Sequence, residues 1–430
     1  MKKEGSSQGK SCERIPFVQI IVAFLHGILH RMWYSIIGSS GNIAPGEPDP
    51  SSAMELKLKQ KIKVGICGLG RAGRQMHIPE LASYPDLFEI IAGCDTAPDR
   101  LLDLPPAAAG IRTFATLPEL LADPEVELVT IATRNADHTP QAIEALEAGK
   151  YVVIEKPIAV SVEQVMRLKE ASERYPGKLF LRFNRRYEPE FNHIRRILSR
   201  GILGRITMIK LYRHPVYCRR RDWQTLNRFC GGMLNNWGPH ILDQALQLLG
   251  SPVVDVWSNL QHNFSAGDAD DQIKILLKAA NGCVADIEIS STCALPGNLY
   301  EVWGDRGALT VPNEGKVLRL KYLKEGFQLP EIHAETGNYP LFYGNQEPLE
   351  LICEEIPVEA GRGHTLQKGA RKESGVGTQA TGYYSQDTMW LDVYDAIRNG
   401  IPYPITMEDG VNVVKLTELI HRQNSLPIGG

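Results

Sequence analysis

The sequence predicts an α/β chain: a doubly wound parallel sheet in its first half, then an α+β region built on a mainly antiparallel sheet. Three observations carry that expectation. A short apolar strand, Lys63 to Cys67, runs directly into the glycine-rich turn GLGRAG, residues 68–73. Strand-like and helix-like stretches then alternate up to about Phe183. Beyond residue 184, short strand-like runs succeed one another with turns rather than helices between them, which implies antiparallel pairing.

Length and composition bound the function. At 430 residues the chain exceeds one ordinary core, and two domains are expected. A hydrophobic content of 43%, a charged content of 23% and a net charge of -3 describe a soluble globular protein. That balance argues against nucleic-acid binding, which calls for a basic excess. The 8 cysteines contain no C-x-x-C pair, and several lie in apolar strand-like runs. Reduced thiols in a cytosolic protein fit better than disulfides or a zinc site.

The first 60 residues stand apart. Ile15 to His30 is apolar but interrupted by Gln19, His26 and His30, and it is short for a membrane span. The linker GSSGNIAPGEPDPSSA follows. Three readings remain open: a non-native extension with translation starting at Met54, a signal or anchor opened by MKK, or a folded segment. We keep residues 1–60 out of the fold.

In the first half, Gly68, Gly70 and Gly73 satisfy G-x-G-x-x-G, with Leu69, Arg71 and Ala72 completing the turn. The glycines permit a tight turn, close approach of backbone to a pyrophosphate at a helix start, and close helix–strand packing. A helix over Arg74 to Tyr84 and a strand over Phe88 to Cys94 follow, and the strand ends in Asp95. Strand, glycine turn, helix, strand and acid in that order mark a dinucleotide-binding unit. Asp95 would accept hydrogen bonds from ribose hydroxyls and repel a 2′-phosphate, favouring NAD over NADP, with Arg71 and Arg100 softening that repulsion. The alternation continues through a strand at Val126 to Ala132, a helix at Asp137 to Ala148 closed by Gly149, and strands at Tyr151 to Ile154 and Leu179 to Phe183. Ligands bind such sheets beyond the carboxyl ends of the strands. Thr133, Arg134, Asn135 and His138 leave one strand there, and Glu155, Lys156 and Pro157 leave another. For His138 a solvated position at a helix start is the alternative.

In the second half, strands are expected at Ile206–Tyr212, Val253–Leu260, Gln272–Lys278, Cys283–Ser290, Leu299–Trp303 and Ala308–Val311. Lys324 to Gln386 is polar and glycine-rich and reads as extended loops. Asp387–Asn399 and Met407–Asn424 read as helices. In GGMLNNWGPHILDQALQLLG, helical spacing from about Trp237 places Asn236, His240 and Asp243 along one face. Two of those three are poor metal ligands, so no metal site is expected. On the residues alone this is a helix-start Asn and a core-satisfied His. Arg213, Arg219, Arg220 and Arg221, beside Tyr217 and Trp223, form a basic-aromatic cluster: a solvated loop, or an anion pocket for a substrate carboxylate or phosphate.

The segments GICGLGRAG, ATRNADH, EKP and GGMLNNWGPHILD, in that order, resemble the glucose-fructose oxidoreductase / inositol dehydrogenase (Gfo/Idh/MocA) family, from about Lys61 to the C-terminus. The resemblance implies a Rossmann domain that binds NAD(P) over 61–183 and a substrate and oligomerisation domain over 184–385. The latter is an α+β domain with a large, mainly antiparallel, open-faced sheet, and helices in 386–430 return toward the nucleotide domain. It implies hydride transfer to or from a sugar, inositol or related polyol, in a cytoplasmic homodimer or homotetramer with no membrane partner. His240 would be the acid/base residue and Lys156 the charge that stabilises the reacting oxygen, with Glu155 orienting Lys156 or touching the cofactor. Arg221 and Trp223 would join Asn236 and His240 around the substrate. One departure stands out: many members carry Asp where this chain has Asn236, which cannot take a proton, leaving Asp243 as a possible orienting carboxylate. An NAD-requiring glycosidase and a catalytically silent NAD sensor are the alternatives, and retention of both Lys156 and His240 argues against the sensor.

Overall fold

The computed structural model describes residues 61–214, 217–313, 315–328, 349–358 and 388–424. The N-terminal apolar stretch lies outside them. Six strands form the first sheet: β1 (Ile62–Cys67), β2 (Phe88–Cys94), β3 (Arg112–Phe114), β4 (Leu128–Ile131), β5 (Tyr151–Ile154) and β6 (Leu179–Leu181). They lie in the order β3-β2-β1-β4-β5-β6, every pair parallel. Strands such as IKVGIC, LVTI and YVVI are buried almost throughout, as expected where helices cover both faces.

Register aligns the strand ends. Cys67 stands beside Cys94 and Ile131, Ile131 beside Ile154, and Ile154 beside Leu181. The residues that follow, Gly68, Asp95, Ala132, Glu155 and Arg182, therefore leave the sheet along one edge. The chain reverses winding direction between β1 and β4, and a crevice opens there.

Helices complete the crossovers. A π-helical turn, Gly73–His77, leads into α1 (Ile78–Ala82). Then come α2 (Leu117–Leu121), α3 (His138–Glu147) and α4 (Val162–Arg174). The helix α4 was not anticipated, although β5 and β6 run parallel and need such a crossover. Ser161 caps it by accepting the Gln164 N–H at 3.2 Å. The helix α5 (Pro189–Ser199) leads out of this half.

The second sheet has eight strands: β7 (Ile206–Arg213), β8 (Val253–Gln261), β9 (Gln272–Ala279), β10 (Val284–Ser290), β11 (Tyr300–Gly304), β12 (Gly307–Val311), β13 (Val317–Leu323) and β14 (Leu351–Pro357). Their order is β14-β13-β12-β11-β7-β10-β9-β8. All neighbours are antiparallel except β7 and β10, where Ile209 stands beside Ala285 in a parallel pair. The long excursion between β7 and β8 frees β10 to approach from the other side. Part of the stretch expected to be loops, 324–386, is strand: β14 pairs with β13, Leu320 opposite Glu354. Most of the remainder lies outside the described residues.

Short α6 (Met233–Asn236) packs on this sheet at β9 and β10, and then α7 (Gly238–Leu249) at β7 and β10. At the C-terminus α8 (Met389–Arg398) packs into the core of the first sheet, with Trp390 edge-on to Phe88 at 5.7 Å. The last helix, α9 (Met407–Gln423), lies against α4 and α7. Among the described residues, no helix is long and apolar enough to cross a membrane.

Candidate active site

The glycine turn is shaped by what its residues lack. Gly68 has φ +98°, and a Cβ there would lie 2.6 Å from the Ala132 carbonyl oxygen. At Gly73 a Cβ would meet the Gly68 carbonyl oxygen at 2.1 Å, so Gly73 serves the turn's own packing rather than a ligand. Gly70 stands clear: the nearest group a Cβ there would meet is Arg100, at 3.7 Å. The helix starts at once, Arg74 N–H donating to Gly70 O at 3.0 Å. Leu69 is fully buried, and its N–H donates to Asp95 Oδ2 at 2.9 Å. Asp95 also accepts the Ala97 N–H at 2.9 Å and lies 3.3 Å from Arg100. The acid thus braces the turn, while Gly68, Gly70, Arg71, Ala72 and Asp95 line one cavity of about 1180 Å³.

Beyond β4, Thr133 donates its hydroxyl to Gln141 Oε1 at 2.5 Å. Asn135 donates through Nδ2 to the Cys230 carbonyl at 2.7 Å, and the Arg134 guanidinium lies 4.5 Å above the Phe229 ring. This exit loop is thereby tied to the segment before α6. His138 is buried, not solvated. Its Nδ1–H donates to Pro157 O at 2.8 Å, joining the two exit loops, and burial pushes its pKa down. Its ring holds protein together, although it still borders the cavity.

Glu155 is the centre of a buried charge network. Burial alone would raise its pKa, but Arg182 at 2.8 Å, His77 at 3.1 Å and Lys156 overcome that and hold it well below the carboxylate range. Arg182 also binds Glu80, which accepts the Trp390 Nε1–H at 2.9 Å. Glu155 therefore orients neighbours: its Oε2 accepts the Lys156 backbone N–H at 3.1 Å.

Lys156 reaches across to the second half. Its Nζ donates to Asn236 O at 2.8 Å and to Asn236 Oδ1 at 3.1 Å. Burial, opposed by Glu155 and aided by Arg71, Arg185 and Arg220, lowers its pKa to about 8. His240 borders the same cavity and is 6% exposed. Burial, then the charges of Lys156 and Arg185, hold its pKa well below the usual imidazole value, so it is neutral at pH 7. Its buried Nδ1 has no hydrogen-bond partner among the described residues.

Two expected partnerships are replaced. Asn236 ends α6 and His240 belongs to α7, so no single helical face joins them, and the Asn236 carboxamide serves Lys156. Asp243 does not orient His240, because both its oxygens are taken by Arg186, at 2.6 Å through Nε and 2.5 Å through a terminal nitrogen. Burial raises Asp243 to about 6, which leaves it ionised beside that guanidinium at neutral pH.

The basic cluster disperses. Trp223, Arg219 and Arg220 line the cavity, whereas Arg221 is exposed outside it and Arg213 is buried against Glu188. Sequence reasoning missed Arg182, Asn184 and Arg185, which follow β6, and Trp237. The rule that directed attention to Glu155 applies equally to β6, so RFNRR was a readable signal.

Fold and site together define an NAD-binding two-sheet oxidoreductase. The model of the oxidoreductase family with NAD-binding Rossmann fold matches residues 62–183, and that of the GFO/IDH/MocA C-terminal domain matches 191–310. The chain belongs to the Gfo/Idh/MocA family of oxidoreductases. It is 27% identical to scyllo-inositol 2-dehydrogenase (NADP(+)) of Bacillus subtilis, over 83% of this chain and 92% of that protein. It is 25% identical to myo-inositol 2-dehydrogenase of Thermotoga maritima, over 59% of this chain and 75% of that one. Among solved structures, an NAD-binding protein from Listeria innocua superposes with TM-score 0.65 at 24% identity, covering 85% of this chain and 95% of the other. The WlbA dehydrogenase from Bordetella pertussis, in complex with NADH and UDP-GlcNAcA, gives 0.62 at 21%, covering 85% and 96%.

Proposed function

We propose that the protein transfers a hydride between NAD and a carbinol carbon of a sugar, inositol or related polyol, with His240 and Lys156 managing the hydroxyl proton. The carrying observation is the anchoring of Lys156 Nζ on Asn236 in the cavity that also contains His240 and the glycine turn. The cavity residues suit the cofactor: Gly70 leaves room for a pyrophosphate at a helix start, Gly68 lets the turn close against Ala132, and Asp95 stands ready for ribose hydroxyls. Arg71, Ala72, Thr133 and Asn135 would flank it.

When bound, the nicotinamide supplies the hydride acceptor. His240, neutral at pH 7, takes the substrate's O–H proton. Lys156 spends two of its three N–H bonds on Asn236, which leaves the third for the substrate oxygen where charge develops. Glu155 holds the lysine backbone and is itself fixed by Arg182.

The two-sided site supports a division into a nucleotide domain over 61–183, a substrate domain over 184–385 and returning helices over 386–430. A cytoplasmic homodimer or homotetramer in carbohydrate metabolism goes with this reading. The likeness to inositol dehydrogenases supports a cyclic polyol. A relative named for NADP(+) makes cofactor choice a direct question. Asp95 favours NAD, and calorimetric titration should give tighter binding of NAD than of NADP; equal affinities would remove that preference. The activity is tested by a panel of sugars and inositols followed by NADH absorbance and product analysis. Lys156→Ala and His240→Ala should each lower kcat about a hundredfold or more with NAD affinity nearly unchanged. Cleaved product without net NADH would replace the proposal with NAD-requiring glycosidase chemistry.

A further inference from the structure

The substrate end of the cavity carries positive charge that its own acids do not balance. The whole chain has a net charge of -3, so this excess is local. Arg219 and Arg220 line the same cavity as Lys156, Trp223 and His240. Arg219 donates through Nε to the Phe264 carbonyl at 3.0 Å. Arg220 donates through Nε to Asp222 Oδ2 at 3.0 Å and through a terminal nitrogen to Gln224. Asp222 is committed further, its Oδ1 accepting the Gln224 N–H at 2.9 Å. The Arg220 carbonyl accepts the Ala266 N–H at 2.8 Å, which pins the loop. Arg220 is thus held along one edge, the exposed Arg219 by one bond, and both border the cavity with N–H donors to spare. Burial does most to lower Lys156 to about 8, and Arg71, Arg185 and Arg220 add to it in that order. Like charges gathered around a partly buried lysine raise the energy of the empty site, and an anion relieves it.

We propose that the substrate bears an anionic group, a carboxylate or a phosphate, bound by Arg219 and Arg220 while its carbinol faces His240 and Lys156. The planar guanidinium fork matches the oxygens of either group. Neither arginine belongs to the glycine turn, where the cofactor's own pyrophosphate would sit. This deepens the hydride-transfer reading and rests on it for the orientation of the substrate, but the binding can be measured without turnover.

The test loads the full chain with NADH and titrates matched pairs by calorimetry. One arm compares glucuronate with glucose and galacturonate with galactose; the other compares glucose 6-phosphate with glucose and inositol 1-phosphate with inositol. At least one acid should bind about tenfold or more tighter than its neutral partner, the size expected of a charge-assisted hydrogen bond. The arm that responds tells carboxylate from phosphate. Arg220→Gln should erode that advantage about tenfold without a matching loss of NADH affinity, and Arg220→Lys, which keeps the charge but loses the fork, should fall between. Neutral partners that bind as well as every acid would overturn the inference. So would an Arg220→Gln variant that loses NADH and acid alike, because the arginine would then belong to the cofactor. Turnover is read in parallel. An acid bound through Arg220 but never oxidised or reduced would keep this inference and end the hydride-transfer reading. Turnover of neutral sugars with no acid preference would do the reverse.

Discussion

Lys156 and His240 have their pKa values moved in the same direction by the same cause, and the result is a pair in complementary states. Burial disfavours charge on both, yet Lys156 starts high enough to remain an ammonium at pH 7, while His240 is neutral. For alcohol oxidation the imidazole must be unprotonated and the lysine protonated. A lysine at about 8 holds its proton below that pH and loses it above. The pH profile of kcat/KM should therefore be level through neutrality, fall above about pH 8, and show its acid limb below the usual imidazole range. Asn236→Asp separates the two groups. The carboxamide oxygen lies 3.1 Å from Lys156 Nζ, so a carboxylate there would favour the ammonium and carry the alkaline limb upward, by about one unit or more. The sequence alone placed Asn236 on one helical face with His240, where a carboxylate would instead raise the imidazole and move the acid limb. An Asp variant whose profile moves only on the acid side would show that position 236 acts on the imidazole after all.

At the scale of elements, what could be read in advance was whatever local chemistry determines. The glycine turn, β2 with its terminal acid and β5 are written in apolar runs and turn residues, and they lie within a residue or so of expectation. What escaped depends on partners. The strand β14 is an edge strand, exposed along much of LICEEIP, so its charges hide the alternation that pairing with β13 imposes. Asn236 and His240 looked like one helical face because the break at Trp237 and Gly238, between α6 and α7, leaves no clear gap in the spacing. The pairing of Asp243 with Arg186 joins residues 57 apart and has no local signature. The turn offers the element-scale test. Gly73→Ala would drive a methyl group against the Gly68 carbonyl, a clash with backbone that no rotamer relieves. The variant should lose about 1–3 kcal/mol in urea denaturation and weaken NAD binding together. A variant as stable as the parent with normal NAD affinity would mean that the turn relaxes freely.

The whole molecule is knitted together by a charge network that no single segment contains. Arg182 follows β6, Glu155 follows β5, Glu80 lies in α1, and Trp390 arrives from the C-terminal α8 to bond the same Glu80. Arg182 is 1% exposed and Glu155 5%, so neither could remain charged there alone. Removing the arginine should therefore cost far more than a surface ion pair would: Arg182→Met leaves two carboxylates without their shared cation and should destabilise by about 3–5 kcal/mol at pH 7. The pH dependence gives the cause away. In the parent, Glu155 has a pKa well below that of an unfolded glutamate, so its contribution is present above the ordinary carboxylate range and is lost as pH falls through the folded value. In the variant, burial acts unopposed by Arg182 and the carboxyl takes a proton at higher pH. The stability gap between the two proteins should then be widest near neutrality and narrow as the solution is acidified below about pH 4, where the unfolded carboxylates titrate. A gap of constant size across that range would assign the loss to side-chain packing, and the network would then be a consequence of how the sheet edge and the C-terminal helix pack.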